Sequence, residues 1–395
     1  MASLTIGFFV VPHDHPRVRY QHESVALCEG LLELGYTCVA NENYWWEPAT
    51  KKHLIKVGNV HSASVHVYNV YYFQAYPDAI GKVDYSKVNI LIDREDGLYG
   101  AFTHPKFQRF DLILRAQYNH HIPYHHYHSN IQPWAFGLSR RITEAVDSSR
   151  DQELMPVLGQ TYRLSHSLRT LASESLNPLL GGAYPVHEWI SASHEDEAPD
   201  KLRGDTLLLW QQSGHRHDPS YYQFLNRCAL TYAFGGLIFP KPYLTSRLQK
   251  PLQRWHQWQY QRKRAQGKPV ERHVLLDQFD SWRWWESLYS NSVPIHMDFD
   301  YWGWQLPVQP VEGEHYLGVK DWDFEGFAER LLALGEEDLA RIAKAGQEWC
   351  LQHYSPPAIA ARFLDHVAVL AERRGMHHLV QQTAGMTLPS NQKPY

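Results

Sequence analysis

The chain has 395 residues, is 44% hydrophobic and carries a formal net charge of −4 with His neutral. That length exceeds one comfortable core and predicts two domains, while the weakly acidic balance disfavours a dedicated nucleic-acid protein. Cys28, Cys38, Cys228 and Cys350 lack CxxC spacing, which suits a reducing cytosol better than a disulfide framework.

Thr5 to Val11 reads as a core strand, not a signal peptide. No apolar run approaches the roughly 18 residues of a membrane span, so a soluble, cytoplasmic protein is expected. After the polar loop Pro12 to Arg19, Gln21 to Leu34 carries Val25, Cys28, Leu31 and Leu32 on one helical stripe. Gly35 stops that helix, and Tyr36 to Ala40 is a second strand. This β-loop-α-β opening predicts a parallel sheet with a right-handed crossover. Val65 to Tyr72, Val88 to Asp93, Leu112 to Arg115 and Ile131 to Leu138 continue it.

Asp147 to Leu180 turns helical and polar and reads as an interdomain connection. A second unit is predicted from the buried strand TLLLWQQ at Thr206, followed by the loop Ser213 to Asp218 and a helix Pro219 to Phe234 ended by Gly235-Gly236. Leu237 to Pro240 is read as a strand, and Lys241 to His273 as a long basic insertion. Asp280 to Tyr289 is a short helix, Ser292 to Met297 a brief apolar strand, and three helices lie between Phe324 and Arg373. The expected layout is α/β, with two Rossmann-like doubly wound domains facing each other across a cleft. Residues 1–150 form the first, 151–204 the connection, 205–355 the second, and 356–395 a closing helix returning toward the first, with a tail. The chain lacks GxGxxG after its first strand, GxxxxGK[ST] and GxSxG, which disfavours dinucleotide dehydrogenases, P-loop enzymes and ordinary α/β-hydrolases.

The densest signal is Asp280 to Asp298, DSWRWWESLYSNSVPIHMD. Arg283 and Glu286 share a helix face just before a strand of central-parallel type. The run Asp280 to Leu288, with Val293-Pro294-Ile295 behind it, resembles the donor-site region of exostosin-like and related glycosyltransferases of the GT-B fold. Tyr301 to Pro307, His315-Tyr316, Gln347-Glu348-Trp349 and Tyr354-Ser355-Pro356 are similar to later parts of such domains. The likeness covers about the last third of the chain. Asn291-Ser292 stand where the family usually carries a Gly-Cys type of pair.

The resemblance implies transfer of a sugar from a UDP- or GDP-sugar co-substrate to an acceptor hydroxyl of a small molecule or glycan. The second domain would bind the donor and the first the acceptor, with no obligatory metal or other cofactor. Glu286 would accept from ribose hydroxyls and Arg283 would face the diphosphate, with Ser281 beside them. A guanidinium suits that role because it pairs with phosphate oxygens and offsets leaving-group charge. The bland alternative is a surface ion pair. Gly214, His215 and Arg216 lie in a loop suited to phosphate.

His13, Asp14 and His15 follow the first strand and are candidates to take the acceptor proton; Asp93 and Glu95 are alternatives. Trp134 and His125 are acceptor-side candidates. His121, His125 and His128 have a minority reading as metal ligands. Arg163, His166 and Arg169 share a helix face and could reach the donor, or be solvated. Residues 247–272 interleave Arg and Lys with Trp255, Trp258 and Tyr260. They read as an amphipathic helix docked on its own domain, or as peripheral contact with an anionic membrane. Two competing functions follow: a non-catalytic carbohydrate or nucleotide binder on a transferase scaffold, and a lipid-acceptor glycosyltransferase at a membrane surface.

Overall fold

The computed structural model describes residues 4–12, 15, 20–97, 100–146, 158–162, 167–190, 202–236, 238–240, 274–383 and, within the basic insertion, 255, 258, 262 and 266. In the first half the strands are β1 (Thr5–Phe9), β2 (Thr37–Ala40), the hairpin β3 (Tyr44–Glu47) and β4 (Lys52–Ile55), then β5 (Val65–Asn69), β6 (Val88–Asp93), β7 (Leu112–Arg115) and β8 (Ile131–Pro133). Six of them form one sheet in the order β2-β1-β5-β6-β7-β8. All its pairings are parallel. Strands β5, β6 and β7 are buried along their whole length, as expected where helices cover both faces of a parallel sheet.

The second half contains β9 (Leu158–Tyr162), β10 (Val186–Ile190), β11 (Leu230–Tyr232), β12 (Ile238–Pro240), β13 (Val274–Leu276), β14 (Val293–Met297) and β15 (Leu317–Val319). The second sheet is β10-β9-β11-β14-β15, again parallel throughout. Three sequence expectations fail here. TLLLWQQ is no strand but part of the helix Gly204–Gln212, and the second sheet already begins at Leu158, inside the expected connection. A short apolar run fits a helix or a strand equally well, whereas LGQTY has no such run and is specified by backbone pairing on both edges. The helix expected from Pro219 to Phe234 ends at Leu225 and gives way to β11. Among the described residues, strand β12 pairs only with β13, in an antiparallel ribbon flanking the basic insertion.

The last long helix, Pro356–Arg373, crosses back onto the first sheet's helix His22–Glu33. The approach is so close that a Cβ on Gly30 would lie 1.9 Å from the Pro356 carbonyl oxygen. Expected as the family's Gly position, Asn291 has φ 57°. The turn therefore keeps a left-handed residue, and Asn tolerates that conformation better than most side chains. Among the described residues, no helix is long and apolar enough to cross a membrane.

Candidate active site

The helix Trp282–Tyr289 is set by its buried face. Trp284, Trp285 and Leu288 pack into the second core, and Trp285 Nε1 donates to Asp280 Oδ1 at 2.6 Å. The other carboxylate oxygen of Asp280 accepts from Phe136 N at 2.7 Å. Burial pushes Asp280 up to about 8, against these hydrogen bonds. So anchored, the helix turns its first residues toward the first domain. The Trp282 ring stacks on Phe136 at 5.4 Å and lies 6.1 Å from Tyr20. Arg94, at the end of β6, and Arg216 each place a guanidinium over Trp282, at 5.4 and 4.3 Å.

Arg94 pairs with Glu23 at 3.2 Å, and Arg141 with Glu286 at 3.5 Å. Arg216 is a second guanidinium over the ring, and Arg283 acts on Glu286. Glu286 is 4% exposed. Its second oxygen accepts from Tyr221 at 3.2 Å; burial raises its pKa while Arg141 opposes the rise. Arg141 also donates to Tyr222, and His217 is pushed down to about 3 by burial and by Arg141.

On the first-domain side, β6 ends in a carboxylate group. Asp93 is fully buried and bound to Arg115 at 3.0 Å. Glu95 is half-buried, accepts from Gln74 at 2.5 Å, and is pushed up to about 7 by burial and the Asp93 charge. Asp277 of the second domain is likewise pushed up to about 7, chiefly by burial and then by Asp96.

Several expected site residues converge. Arg283 and Glu286 lie on one helix, and they interact electrostatically while Glu286 takes its hydrogen bonds from Arg141 and Tyr221. Ser281 is the helix N-cap. Gly214, with φ 63°, lets the Ser213–His217 loop fold back so that Arg216 Nη1 donates to Gly214 O at 2.8 Å and covers Trp282. His215 stacks instead on Trp210 at 3.8 Å. The Gly235-Gly236 pair admits the chain's own backbone, since a Cβ on Gly235 would meet Gln278 O at 2.0 Å.

Other candidates do not join this cluster. Trp134 is 1% exposed in the first core and offers no acceptor surface. It follows β8 directly, and its alternation placed it inward. His125 is exposed on a turn against His126, and no described contact links it to Trp282. His128 is occupied by Phe110 O and Asn130 N. Among the described residues no group of three His, Cys, Asp or Glu is placed to hold a metal ion. Asp93 is committed to Arg115. Arg169 donates to Phe234 O at 2.9 Å. His15 meets Tyr76 edge-on at 5.8 Å, whereas His13, Asp14, Arg163, His166 and most of 247–272 lie outside the described residues. Arg94, Arg141, Tyr221 and Trp282 were not expected as site residues. The one sequence signal for Arg94 is a charge directly following the apolar strand Val88–Asp93.

No family model matches the sequence, and no curated protein sequence matches it either. Solved structures do. An alpha-glucosyltransferase in complex with UDP and a 13-mer DNA containing an HMU base superposes with a TM-score of 0.54 at 9% identity, over 93% of this chain and 100% of that one. Anabaena HepE in complex with UDP and glucose gives 0.50 at 10% identity, over 93% and 100%. The chain spans about half of TarM, 54%, with a TM-score of 0.45. With its two parallel sheets and returning last helix, the chain has the GT-B fold.

Proposed function

We propose that the protein is a glycosyltransferase that moves a sugar from a nucleotide-sugar donor to an acceptor hydroxyl in the cleft between the two sheets. The observation that carries this reading is the pair of guanidinium groups, Arg94 from the first domain and Arg216 from the second, over Trp282 at the carboxyl ends of the sheets, where α/β folds hold polar ligands. Arg283 and Arg216 would pair with the donor diphosphate and offset the charge that develops as it leaves. Glu286, fixed by Arg141 and Tyr221, would share its remaining lone pairs with the ribose hydroxyls. Ser281 and the backbone around Gly214 and His215 would complete the donor side.

The acceptor proton would go to Glu95, which is held by Gln74 and has a pKa near working pH. His15, with His13 and Asp14, is a second candidate on the same domain. UDP and GDP are the nucleotides to compare. Calorimetry with each, followed by hydrolysis assays over a panel of UDP- and GDP-sugars, tests the proposal. Binding of one nucleotide with slow release of its sugar is the expected result; no nucleotide binding would overturn it.

A further inference from the structure

Arg115, at the end of β7, is fully buried. Its guanidinium donates to Asp93 Oδ1 at 3.0 Å, to the Glu95 carbonyl at 2.8 Å and to the Gly97 carbonyl. Asp93 in turn accepts from Glu95 N and Phe102 N, both at 3.2 Å. Backbone groups buried outside regular structure need such partners, and one planar fork of donors serves three acceptors at once. The segment from Asp93 to Gly97 is thus wrapped around a single cation. Its packing is close, since a Cβ on Gly100 would lie 2.6 Å from Arg115 Nη1.

The outer end of this segment is held from the other domain. Asp277 directly follows β13 and is 3% exposed. Its carboxylate accepts from Gln278 N at 2.6 Å and from the Gly97 backbone N–H. The turn that presents it is itself fixed. Gly236 N donates to the Asp277 and Gln278 carbonyls at 3.1 and 3.2 Å, and Gln278 has φ 58°. A left-handed conformation in such a residue persists only where its surroundings impose it. Gly97 is therefore bonded on both sides, through its C=O to Arg115 and through its N–H to Asp277. The charges facing Asp277 are Asp96 and Arg115, and those facing Glu95 are Asp93, Arg115 and Lys106.

We infer that Asp277 is a positioning residue for Glu95, anchoring the Glu95–Gly97 segment from the second domain. This rests on the glycosyl-transfer reading with Glu95 as its base, and adds the group that joins that base to the donor side. Three residues beyond Asp277, Asp280 leads into the helix that carries Arg283 and Glu286. The proton acceptor and the donor contacts then share one stretch of backbone. Proton transfer needs the base within hydrogen-bond reach, and a misplacement of about 1 Å can cost on the order of 10²-fold in rate.

Carbon-13 NMR of glutamate side-chain carboxyls in the full chain tests this, with the Glu95 signal assigned by its loss in Glu95→Gln. In the wild type Glu95 should titrate at about 7, where burial and the Asp93 charge put it. In Asp277→Ala the loosened segment admits water, and the midpoint should fall by about one pH unit or more. Asp277→Asn removes the charge but keeps one acceptor oxygen, and its midpoint should stay closer to wild type. Gln212→Ala breaks two bonds to the Trp46 backbone at another contact between the two halves, and should leave the midpoint in place. Sugar release from UDP-glucose or GDP-mannose should fall about tenfold or more in Asp277→Ala, with UDP and GDP affinities unchanged by calorimetry. A wild-type midpoint near 4.5, or one unmoved in Asp277→Ala, overturns the inference. An equal fall in Asp277→Asn overturns it too, because charge and not anchoring would then be the cause. So does an equal fall in Gln212→Ala, which would mean general loosening. If Asp277→Ala does not fold, Asp277→Ser takes its place under the same criteria. The midpoints keep their meaning in a protein that binds neither nucleotide, so a failed donor site and a failed anchor are read separately.

Discussion

Gln117 of the first domain and the backbone of Asp280 in the second exchange two hydrogen bonds, Nε2 to Asp280 O at 2.9 Å and Asp280 N to Oε1 at 3.2 Å. The side-chain amide thus imitates a strand partner across the domain boundary. A second interdomain link lies nearby, where His120 N donates to Gly303 O and Gln305 N to Tyr118 O. These bonds tie the two domains together, the Gln117 pair two residues before Trp282. Gln117→Ala would leave a buried N–H and C=O unpaired, at about 1–3 kcal/mol each. Urea unfolding should show that loss, with the near-UV spectrum of the native state preserved.

Arg283→Ala should weaken UDP binding about tenfold or more, the loss expected when a charge-assisted phosphate contact worth about 1.5–3 kcal/mol is removed. Glu286→Gln should also weaken it at a smaller cost in stability than Ala, because its single amide oxygen still accepts from one of the two partners, Arg141 or Tyr221. Glu286→Ala is a different case, since it strands Arg141 in a buried site at about 3–5 kcal/mol. Calorimetry on Arg283→Ala and Glu286→Gln, paired with thermal melts of all three variants, separates ligand contact from stability.

If Glu95 takes the acceptor proton, it must be ionised to do so. Its pKa is raised to about 7 by burial and Asp93, so transfer rate should climb with pH through about 7 and level above it. Glu95→Gln should lose roughly 10²–10⁴ in rate and should also lose that acid limb. A wild-type profile flat from pH 5.5 to about 8 would remove Glu95 from the role.

Glu29 gives a stability test with a defined sign. One oxygen accepts from Arg140 N at 2.9 Å, the other is buried without a partner, and burial lifts the pKa from 4.5 to about 8. Between those values the folded chain keeps a proton that the unfolded chain releases, so stability falls as pH rises across the window. Glu29→Gln retains the acceptor for Arg140 and cannot ionise. Its stability relative to wild type should therefore increase from pH 5 to pH 8, by at most a few kcal/mol, in parallel urea titrations.

Gly30→Ala tests the return of the last helix. A methyl group there would overlap the Pro356 carbonyl at 1.9 Å, and backbone cannot rotate aside as a side chain can. Destabilisation at or above the usual overpacking range of about 1–3 kcal/mol is expected. Gly81→Ala, where a Cβ meets nothing within 4 Å, is the control and should melt close to wild type.

What the sequence determined by itself was local. Val88–Asp93 and Leu112–Arg115 are short apolar runs that only a buried parallel strand accommodates within this alternation of elements, and both are observed. The helix Trp282–Tyr289 followed by Val293–Met297 was equally legible, because caps, period and strand type all lie within one short segment. Strand β9 was not legible, since its place comes from neighbours on both sides and not from an apolar run of its own. Tertiary structure alone decided which groups surround Trp282 and Glu286. Arg141 reaches Glu286 across 145 residues of chain and Tyr221 across 65, distances at which no spacing rule operates. Asp93 and Glu95 show the same limit at short range. They stand two positions apart, one ending β6 and one just beyond it, yet Arg115 pairs with the buried first while Gln74 holds the half-buried second, whose pKa is raised. Residue type supplied the chemistry, but burial and partners set which carboxylate keeps it available.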